Sequence, residues 1–168
     1  MDPKRVFVLL IGDKLSGEVN HFQLLQETTA VSEGRRLGLD VELAFAPGFD
    51  QARALVKRLM DRGKPAPDAV VTEPASASTL ELMLNELRGR IGLIVLSAWA
   101  PSVEKAAGGW GSERPFGTVG TNHTQVGEIQ GQQAMDLMPS GGRVLYVAGP
   151  LQSSAAQERL IGFKSQLG

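Results

Sequence analysis

The sequence predicts an α/β protein in which a parallel sheet lies between two layers of helices, a three-layer α/β/α lobe. Short continuous apolar runs alternate with helical patterns over residues 5 to 97. Such runs are typical of parallel strands that are covered on both faces. Glycine or proline stands at most junctions, where a strand or a helix has to end. The alternation implies right-handed crossovers between parallel strands.

The pattern begins with two strands, each followed by a helix. Val6 to Ile11 is a continuous apolar run that Gly12 ends. In the helix that follows, Phe22, Leu25 and Thr29 fall on one face, which we expect to be buried. The predicted bounds in this part are 6–11 and 39–45 for the strands and about 20–37 and 49–60 for the helices.

The pattern continues to residue 97 and then lapses. Residues 98–116 are rich in Gly, Pro and Ser, which predicts an irregular segment and a domain boundary close to residue 118. Beyond it, a helical pattern is expected to turn four side chains toward a core. The predicted elements are strands at 68–72, 92–97 and 143–148, an extended piece at 116–122 and helices at 80–91 and 124–138, the last with Val126, Ile129, Ala134 and Leu137 facing inward.

The stretch from Arg143 to Phe163 organises the second part of the chain. Its apolar run at 144–148 predicts a parallel strand, and Ser153 and Ser154 can cap the helix that follows. The apolar stripe of that helix consists of Ala156, Leu160, Phe163 and Leu167. Arg159 falls in its first turns, near the carboxyl end of the strand. Open α/β sheets bind ligands at that edge.

Composition excludes several classes of protein. Apolar residues make up 42% of the 168 residues, charged residues 21%, and the formal net charge is -1, as in soluble globular proteins. No basic cluster indicates nucleic-acid binding. Cysteine is absent, which excludes disulfides and thiolate chemistry. The apolar run near the start is too short for a signal peptide, and no run reaches the length of a membrane span, so we expect either a cytosolic protein or one whose export signal is missing from this sequence.

Signals for enzyme chemistry are weak, so we expect no catalytic residues, no cofactor and no metal. The glycines after the first strand and at 117–127 lack the spacing of a dinucleotide or phosphate loop. The two histidines, at 21 and 123, have no ligand cluster around them. Ser153 and Ser154 do not form a nucleophile elbow, and Glu73 has no partner carboxylate in the pattern.

Four aromatic side chains are candidates for ligand contact: Phe22, Trp99, Trp110 and Phe116. Three of the four lie just beyond strand ends or in loops, where a packed core is not expected to bury them. Aromatic faces can stack on the C–H surfaces of a sugar, but the same side chains can simply cover the rim of the sheet. Both interpretations stay open at this point.

Several segments together resemble the type I periplasmic sugar-binding proteins. The order runs through VFVLLIG, N-H-F at 20–22, VVTEP, GLIVLS, VGTNHTQVG at 119–127 and SSAAQERLIGF at 153–163. The resemblance covers nearly the whole chain, and the last two segments are its most specific parts. It implies a binder with two lobes that closes on a monosaccharide or polyol, delivers it to an ABC permease and has no chemistry of its own.

The resemblance also implies which residues contact the ligand. Arg159 matches the sugar-clasping arginine of the family, and Phe22 is the expected stacking ring. Ser97 and Asn122 stand where many members carry aspartates, and Trp99 can compensate for the lost carboxylates by stacking. The full implied set is Asn20, Phe22, Glu73, Ser97, Trp99, Asn122 and Arg159.

Length is a departure from the family, which needs about twice as many residues for two lobes. We expect residues 1–118 to form one lobe and residues 119–168 to be a crossing strand and the first helix, strand and helix of a second, truncated lobe. The strand at 143–148 would then need a partner, either the sheet of the first lobe or a second copy of the chain, and we favour the homodimer. Periplasmic location is expected. The alternative is a cytoplasmic one, as the effector-binding core of a sugar-responsive transcription regulator of the LacI type.

Overall fold

A computed structural model describes residues 2–11, 21–61, 63, 65–74, 76–97, 103, 108–149 and 153–167 of the chain. The described residues form five strands and five helices of eleven residues or more. All five strands are parallel and belong to one sheet. The predicted α/β class with a parallel sheet is therefore confirmed.

Most elements lie within a few residues of their predicted bounds. The strands are β1 Arg5–Ile11, β2 Asp40–Ala46, β3 Ala69–Glu73, β4 Gly92–Leu96 and β5 Phe116–Val119. The helices are α1 His21–Arg36, α2 Phe49–Leu59, α3 Ala77–Leu87, α4 His123–Leu137 and α5 Ser154–Gln166.

The strand order is β2-β1-β3-β4-β5. The chain leaves β1 toward β2 on one side and then crosses to β3 on the other side of β1. Beside β1 the order of the strands therefore reverses, and a crevice opens at the carboxyl ends of the strands in sheets of this type. The topology puts the end of β3 and the segments after β4 and β5 along this edge.

The main core lies between the sheet and helices α2 and α3. Alternate residues of the central strands face it, including Phe7, Leu9 and Val70, and all three are almost completely buried. Trp110 belongs to the same core, with only 2% of its surface exposed, and its ring lies 5.0 Å from that of Phe116. Trp110 therefore packs inside the protein and cannot stack on a ligand, and the partly buried ring of Phe116 packs against it.

Helix α1 covers the opposite face of the sheet and packs on β2. At Gly34 an added Cβ would lie 2.2 Å from a methyl carbon of Val41, so this glycine allows close contact. The prediction that Leu25 and Thr29 share a buried face is wrong, since Leu25 is 62% exposed and Thr29 is exposed as well. The helix approaches the strand through its glycine, and this orientation turns Leu25 toward solvent.

Helices α4 and α5 cross each other with their backbones almost in contact. A Cβ at Gly127 would lie 2.0 Å from the carbonyl oxygen of Arg159, and one at Gly162 would lie 2.0 Å from that of Thr124. Ile129 and Leu137, which we expected to face a core, are 53% and 83% exposed. That prediction is wrong because the buried face of α4 is made by glycines and carries no large apolar side chains.

Residues 143–148 also differ from their prediction. They were expected to form a strand, but the described part of the chain places them outside helices and strands. Leu145 and Val147 are 89% and 85% exposed, whereas Tyr146 packs on Phe163 with ring centroids 4.6 Å apart. A strand exists only when its backbone groups pair with a neighbour, and no strand of the described residues lies beside this segment.

None of the described helices is both long and apolar enough to cross a membrane.

Candidate ligand-binding site

Three of the residues predicted to bind a ligand lie along the carboxyl edge of the sheet. Glu73 is the last residue of β3, Ser97 directly follows β4, and Asn122 lies three residues beyond β5. Because β3, β4 and β5 are parallel neighbours, their carboxyl ends share one edge. A carboxylate, a hydroxyl and an amide come together there, and these are groups that hydrogen-bond hydroxyl-rich ligands.

Glu73 is held by a neighbour that the sequence did not reveal. The amide nitrogen Nε2 of Gln26, on α1, donates to Oε2 of Glu73 at 2.8 Å, and both side chains are half-buried. The amide oxygen Oε1 of Gln26 is buried and finds no hydrogen-bond partner within the described part of the chain. Gln26 therefore fixes the orientation of the carboxylate at the end of β3.

Ser97 has an unusual backbone conformation. Its φ of 56° lies in the left-handed region, and no other non-glycine residue of the described segments has a positive φ. Its N–H donates to the carbonyl oxygen of Val119 at 2.8 Å, which ties the turn after β4 to the end of β5. Left-handed residues other than glycine are uncommon and often occur where a ligand site demands a particular backbone path.

Asn122 is the N-cap of α4. Its Oδ1 accepts a hydrogen bond from the backbone N–H of Gln125 at 3.0 Å, a common stabilising contact at the start of a helix. The residue is exposed. The cap uses the amide oxygen, and the amide N–H groups can still donate to a ligand, so capping and ligand binding are compatible.

Arg159 reaches this edge through His123. Its Nε donates to Nδ1 of His123 at 3.2 Å, across 36 positions of the chain. His123 is the first residue of α4 and directly follows Asn122, and its side chain is only 9% exposed. The contact links the start of α5 to the start of α4, and so brings Arg159 into the neighbourhood of Asn122.

The other predicted ligand residues cannot be placed. Asn20 and Trp99 lie outside the described residues, as does the side chain of Phe22, although the backbone of Phe22 belongs to the first turn of α1. Of the seven predicted contacts, four therefore have a described environment.

Two cavities are candidates for holding a ligand. A cavity of about 280 Å³ lies beside Arg159 and includes Tyr146, Ser153 and Ala156 in its wall. A larger one, of about 440 Å³, lies between the amino ends of β1 and β2. In the second, Arg58 and Glu42 already pair with each other at 3.2 Å. The cavity beside Arg159 is the better candidate, because its arginine has polar groups left to offer.

In the described part of the chain, no three His, Asp or Glu side chains form a cluster that could hold a metal ion.

Sequence reasoning missed two residues of the candidate site, Gln26 and His123. His123 was considered only as a metal ligand, and the available signal was its position inside the segment VGTNHTQVG. Gln26 carried no signal of its own, because its contact with Glu73 depends on the packing of α1.

Comparisons with known proteins bear on the family and the fold of the chain. The sequence profile of the "periplasmic binding protein domain" family matches residues 19–168. A search of curated protein sequences found no match. Three solved structures illustrate the likeness in fold. They are the fructose-binding periplasmic domain of the hybrid two-component system BT1754 (16% identity, TM-score 0.73), the glucose-galactose binding protein GanP of Geobacillus stearothermophilus (18%, 0.70) and the Escherichia coli transcriptional repressor ascG (18%, 0.61).

Each alignment covers nearly the whole of the present chain but only part of the solved structure. The alignments cover 98% of this chain in all three cases, and 49%, 54% and 54% of the respective solved chains. The chain therefore spans about half the length of these proteins. At this level of identity the likeness concerns the fold.

Proposed function

Because the chain belongs to the periplasmic binding protein domain family and has the fold of its type I sugar-binding members, we propose that it binds a monosaccharide or polyol as the solute-binding component of an ABC transporter. It has no catalytic chemistry in this proposal. The ligand would be delivered to the permease subunits from the periplasm. Sugar-binding and polyol-binding proteins recur among the structural neighbours, including one for myo-inositol from Caulobacter.

The observation that supports this proposal most is the set of polar groups near the carboxyl edge of the sheet. Glu73, Ser97, Asn122 and Arg159 offer a carboxylate, a hydroxyl, an amide and a guanidinium. Sugar hydroxyls both donate and accept hydrogen bonds, so a binder needs this mixture of partners. Asn20, Phe22 and Trp99 complete the proposed contact set.

The proposed division of the chain is one lobe at residues 1–118 and part of a second lobe at residues 119–168. In support, the sheet and its helices involve residues up to 119, whereas α4 and α5 make their main contacts with each other. If closure of two lobes buries the ligand, a chain with part of the second lobe binds its sugar weakly.

A titration followed by protein NMR tests the proposal, because it detects weak binding. The panel contains D-glucose, D-galactose, D-fructose, D-allose, L-arabinose and myo-inositol. We expect at least one sugar to shift backbone amide resonances of Glu73, Asn122 and Arg159 in a saturable way. Arg159→Lys should abolish these shifts, because a lysine cannot offer the planar donor fork of arginine.

Arg143→Lys is the matched control, since it changes an exposed arginine of the same part of the chain. It should leave the titration unchanged. Absence of saturable shifts with all six sugars would reject the proposed ligand class, and equal effects of the two substitutions would reject Arg159 as a contact.

A homodimer is the proposed arrangement for residues 143–148. Val144, Leu145 and Val147 are exposed, and the backbone of the segment pairs with no strand of the described residues, so both are available for pairing with the same segment of a second copy. Light scattering should give twice the mass of 17.9 kDa. Val147→Pro should give a monomer, because proline removes a backbone donor and hinders strand pairing. A monomeric wild-type protein would refute the dimer.

The second candidate is the effector-binding core of a sugar-responsive transcription regulator. It is favoured by the match to the Escherichia coli repressor ascG, which covers the same 98% of this chain. Fractionation of cells that express the protein from its native gene separates the two candidates. Recovery in the periplasm supports the transport component, and recovery in the cytoplasm with binding to operator DNA supports the regulator.

A further inference from the structure

The contact between Arg159 and His123 has a role beyond joining two helices. We propose that His123 is a positioning residue that holds the guanidinium of Arg159 in the orientation needed for ligand binding. This inference rests on the proposed function, in which Arg159 contacts the ligand. A free arginine side chain loses conformational entropy when it is fixed, and this loss opposes binding. An arginine that is already held before the ligand arrives avoids part of this cost.

The geometry of the contact suits such a role. Nε of Arg159 donates to Nδ1 of His123 at 3.2 Å. Within the described segments the two terminal nitrogens of the guanidinium make no hydrogen bond. The histidine therefore holds the inner nitrogen and leaves the outer pair, which is the part that can bind two acceptors side by side.

The chemistry of the two side chains fixes which atoms can meet. An arginine can only donate, so Nδ1 of His123 must be the ring nitrogen with the free electron pair, and the ring proton of a neutral imidazole then belongs to Nε2. His123 is 9% exposed and Arg159 is half-buried. Burial reduces competition from water, which makes the hydrogen bond an effective restraint.

The glycines of α4 make the contact possible. His123, Gly127 and Gly131 follow at intervals of four residues and so share one face of the helix. A Cβ at Gly127 would lie 2.0 Å from the carbonyl oxygen of Arg159 itself. The backbone of α5 thus passes directly over α4 at Arg159, one helical turn from His123, and the arginine side chain has only to reach back by that turn.

Three variants of the full chain test the inference. His123→Leu keeps an apolar side chain of similar bulk but removes the acceptor. His123→Asn restores an acceptor, because its Oδ1 stands as many bonds from the backbone as Nδ1 of histidine. Arg159→Lys removes the guanidinium. The first measurement needs no ligand and follows the hydrogen exchange of the Arg159 Nε–H by NMR.

We expect slow exchange of this proton in the wild-type protein and in His123→Asn, and fast exchange in His123→Leu. The second measurement uses the sugar of the six-member panel that binds. His123→Leu should weaken its binding about threefold to tenfold, as expected when one mobile side chain must be ordered on binding. His123→Asn should bind within about twofold of the wild type, which a purely structural role of the histidine would not predict.

The outcomes separate the two proposals. Fast exchange in the wild-type protein, or unchanged exchange in His123→Leu, overturns the positioning role whether or not a sugar binds. Equal weakening of sugar binding by His123→Leu and His123→Asn also overturns it, provided that both variants keep the wild-type melting temperature. Normal binding by Arg159→Lys together with fast exchange in His123→Leu supports the histidine contact and instead rejects Arg159 as a ligand residue.

Discussion

The two parts of the molecule are built in different ways. The sheet region, residues 2–119, is held by large apolar side chains that interlock between the strands and helices α2 and α3. The helical region, residues 120–167, is held together by the contact of α4 with α5, whose glycines allow the two backbones to come close. Leu137, Leu145 and Val147 in the helical region are more than 80% exposed. The sheet region therefore has a core of large buried side chains, whereas the helical region leaves many of its large apolar side chains in contact with water.

This difference predicts that the two regions differ in local stability. Burial of apolar area is the main source of stability, at roughly 25 cal/mol per Å². Close backbone contact between two helices contributes dispersion and little area. We therefore expect backbone amides of the helical region to exchange with solvent through smaller and more frequent opening events than those of β1, β3 and β4.

The largest expected effect compares one substitution at two positions. Leu87→Ala should lower the free energy of unfolding by about 2–5 kcal/mol, because Leu87 is completely buried between the helices and the sheet. Leu137→Ala should change it by less than about 0.5 kcal/mol, because that side chain is 83% exposed. Urea denaturation of both variants measures the contrast. Similar losses at the two positions would mean that Leu137 is covered in solution.

A change at the helix crossing is expected to be smaller and local. Gly127→Ala should cost about 1–3 kcal/mol, because the new Cβ meets backbone atoms of Arg159 and cannot rotate away. The better helix propensity of alanine offsets only about 1 kcal/mol. Hydrogen exchange should show lost protection in α4 and α5 alone.

Gly117→Ala is the control for this substitution, because its Cβ would meet only a methyl carbon of Ile94 at 3.5 Å, an ordinary contact. It should leave the exchange of α4 and α5 unchanged. Loss of protection in the sheet region of Gly127→Ala would contradict the local nature of the crossing.

The smallest expected effect concerns Asp68, just before β3. The backbone N–H of Arg5 and then the ammonium group of Lys4 hold the pKa of its carboxyl below the ordinary value of 3.8. A depressed pKa contributes stability at pH values above the ordinary one, and this contribution disappears as the pH falls through the pKa of the folded state. With 37% of the side chain exposed, the contribution is below about 1 kcal/mol.

Asp68→Asn should therefore lower the melting temperature slightly at neutral pH. The difference from the wild type should shrink as the pH is lowered below 3.8, and it should also shrink in high salt. Melting curves between pH 2 and 7 measure both trends. A difference that grows on acidification would assign the effect to something other than the charge.

Where apolar side chains make the contacts, the sequence predicted the structure well. The run Val6 to Ile11 is strand β1, whose observed bounds are Arg5–Ile11, and the buried strands β3 and β4 lie within one residue of their predicted bounds. Continuous apolar runs mark such strands because both faces are covered.

The predictions that the structure contradicts were wrong for physical reasons. Apolar spacing identifies the buried face of a helix only if side chains fill the contact, and on α4 the contact is made by Gly127 and Gly131. The run at 144–148 has the composition of a strand, but composition cannot supply a neighbouring strand. The candidate site shows the same limit, because the contact of Arg159 with His123 spans 36 positions and depends on how two helices cross.

The positions of two aromatic side chains make the regions separately observable by fluorescence. Trp110 is buried in the core of the sheet region, and Tyr146, the one tyrosine in the sequence, packs on Phe163 in the helical region. In a Trp99→Phe variant, which leaves Trp110 as the one tryptophan, tryptophan emission therefore follows the melting of the sheet, while tyrosine emission follows the loss of helix packing. If the two traces separate on heating, unfolding is not a two-state process, and each region has its own transition temperature.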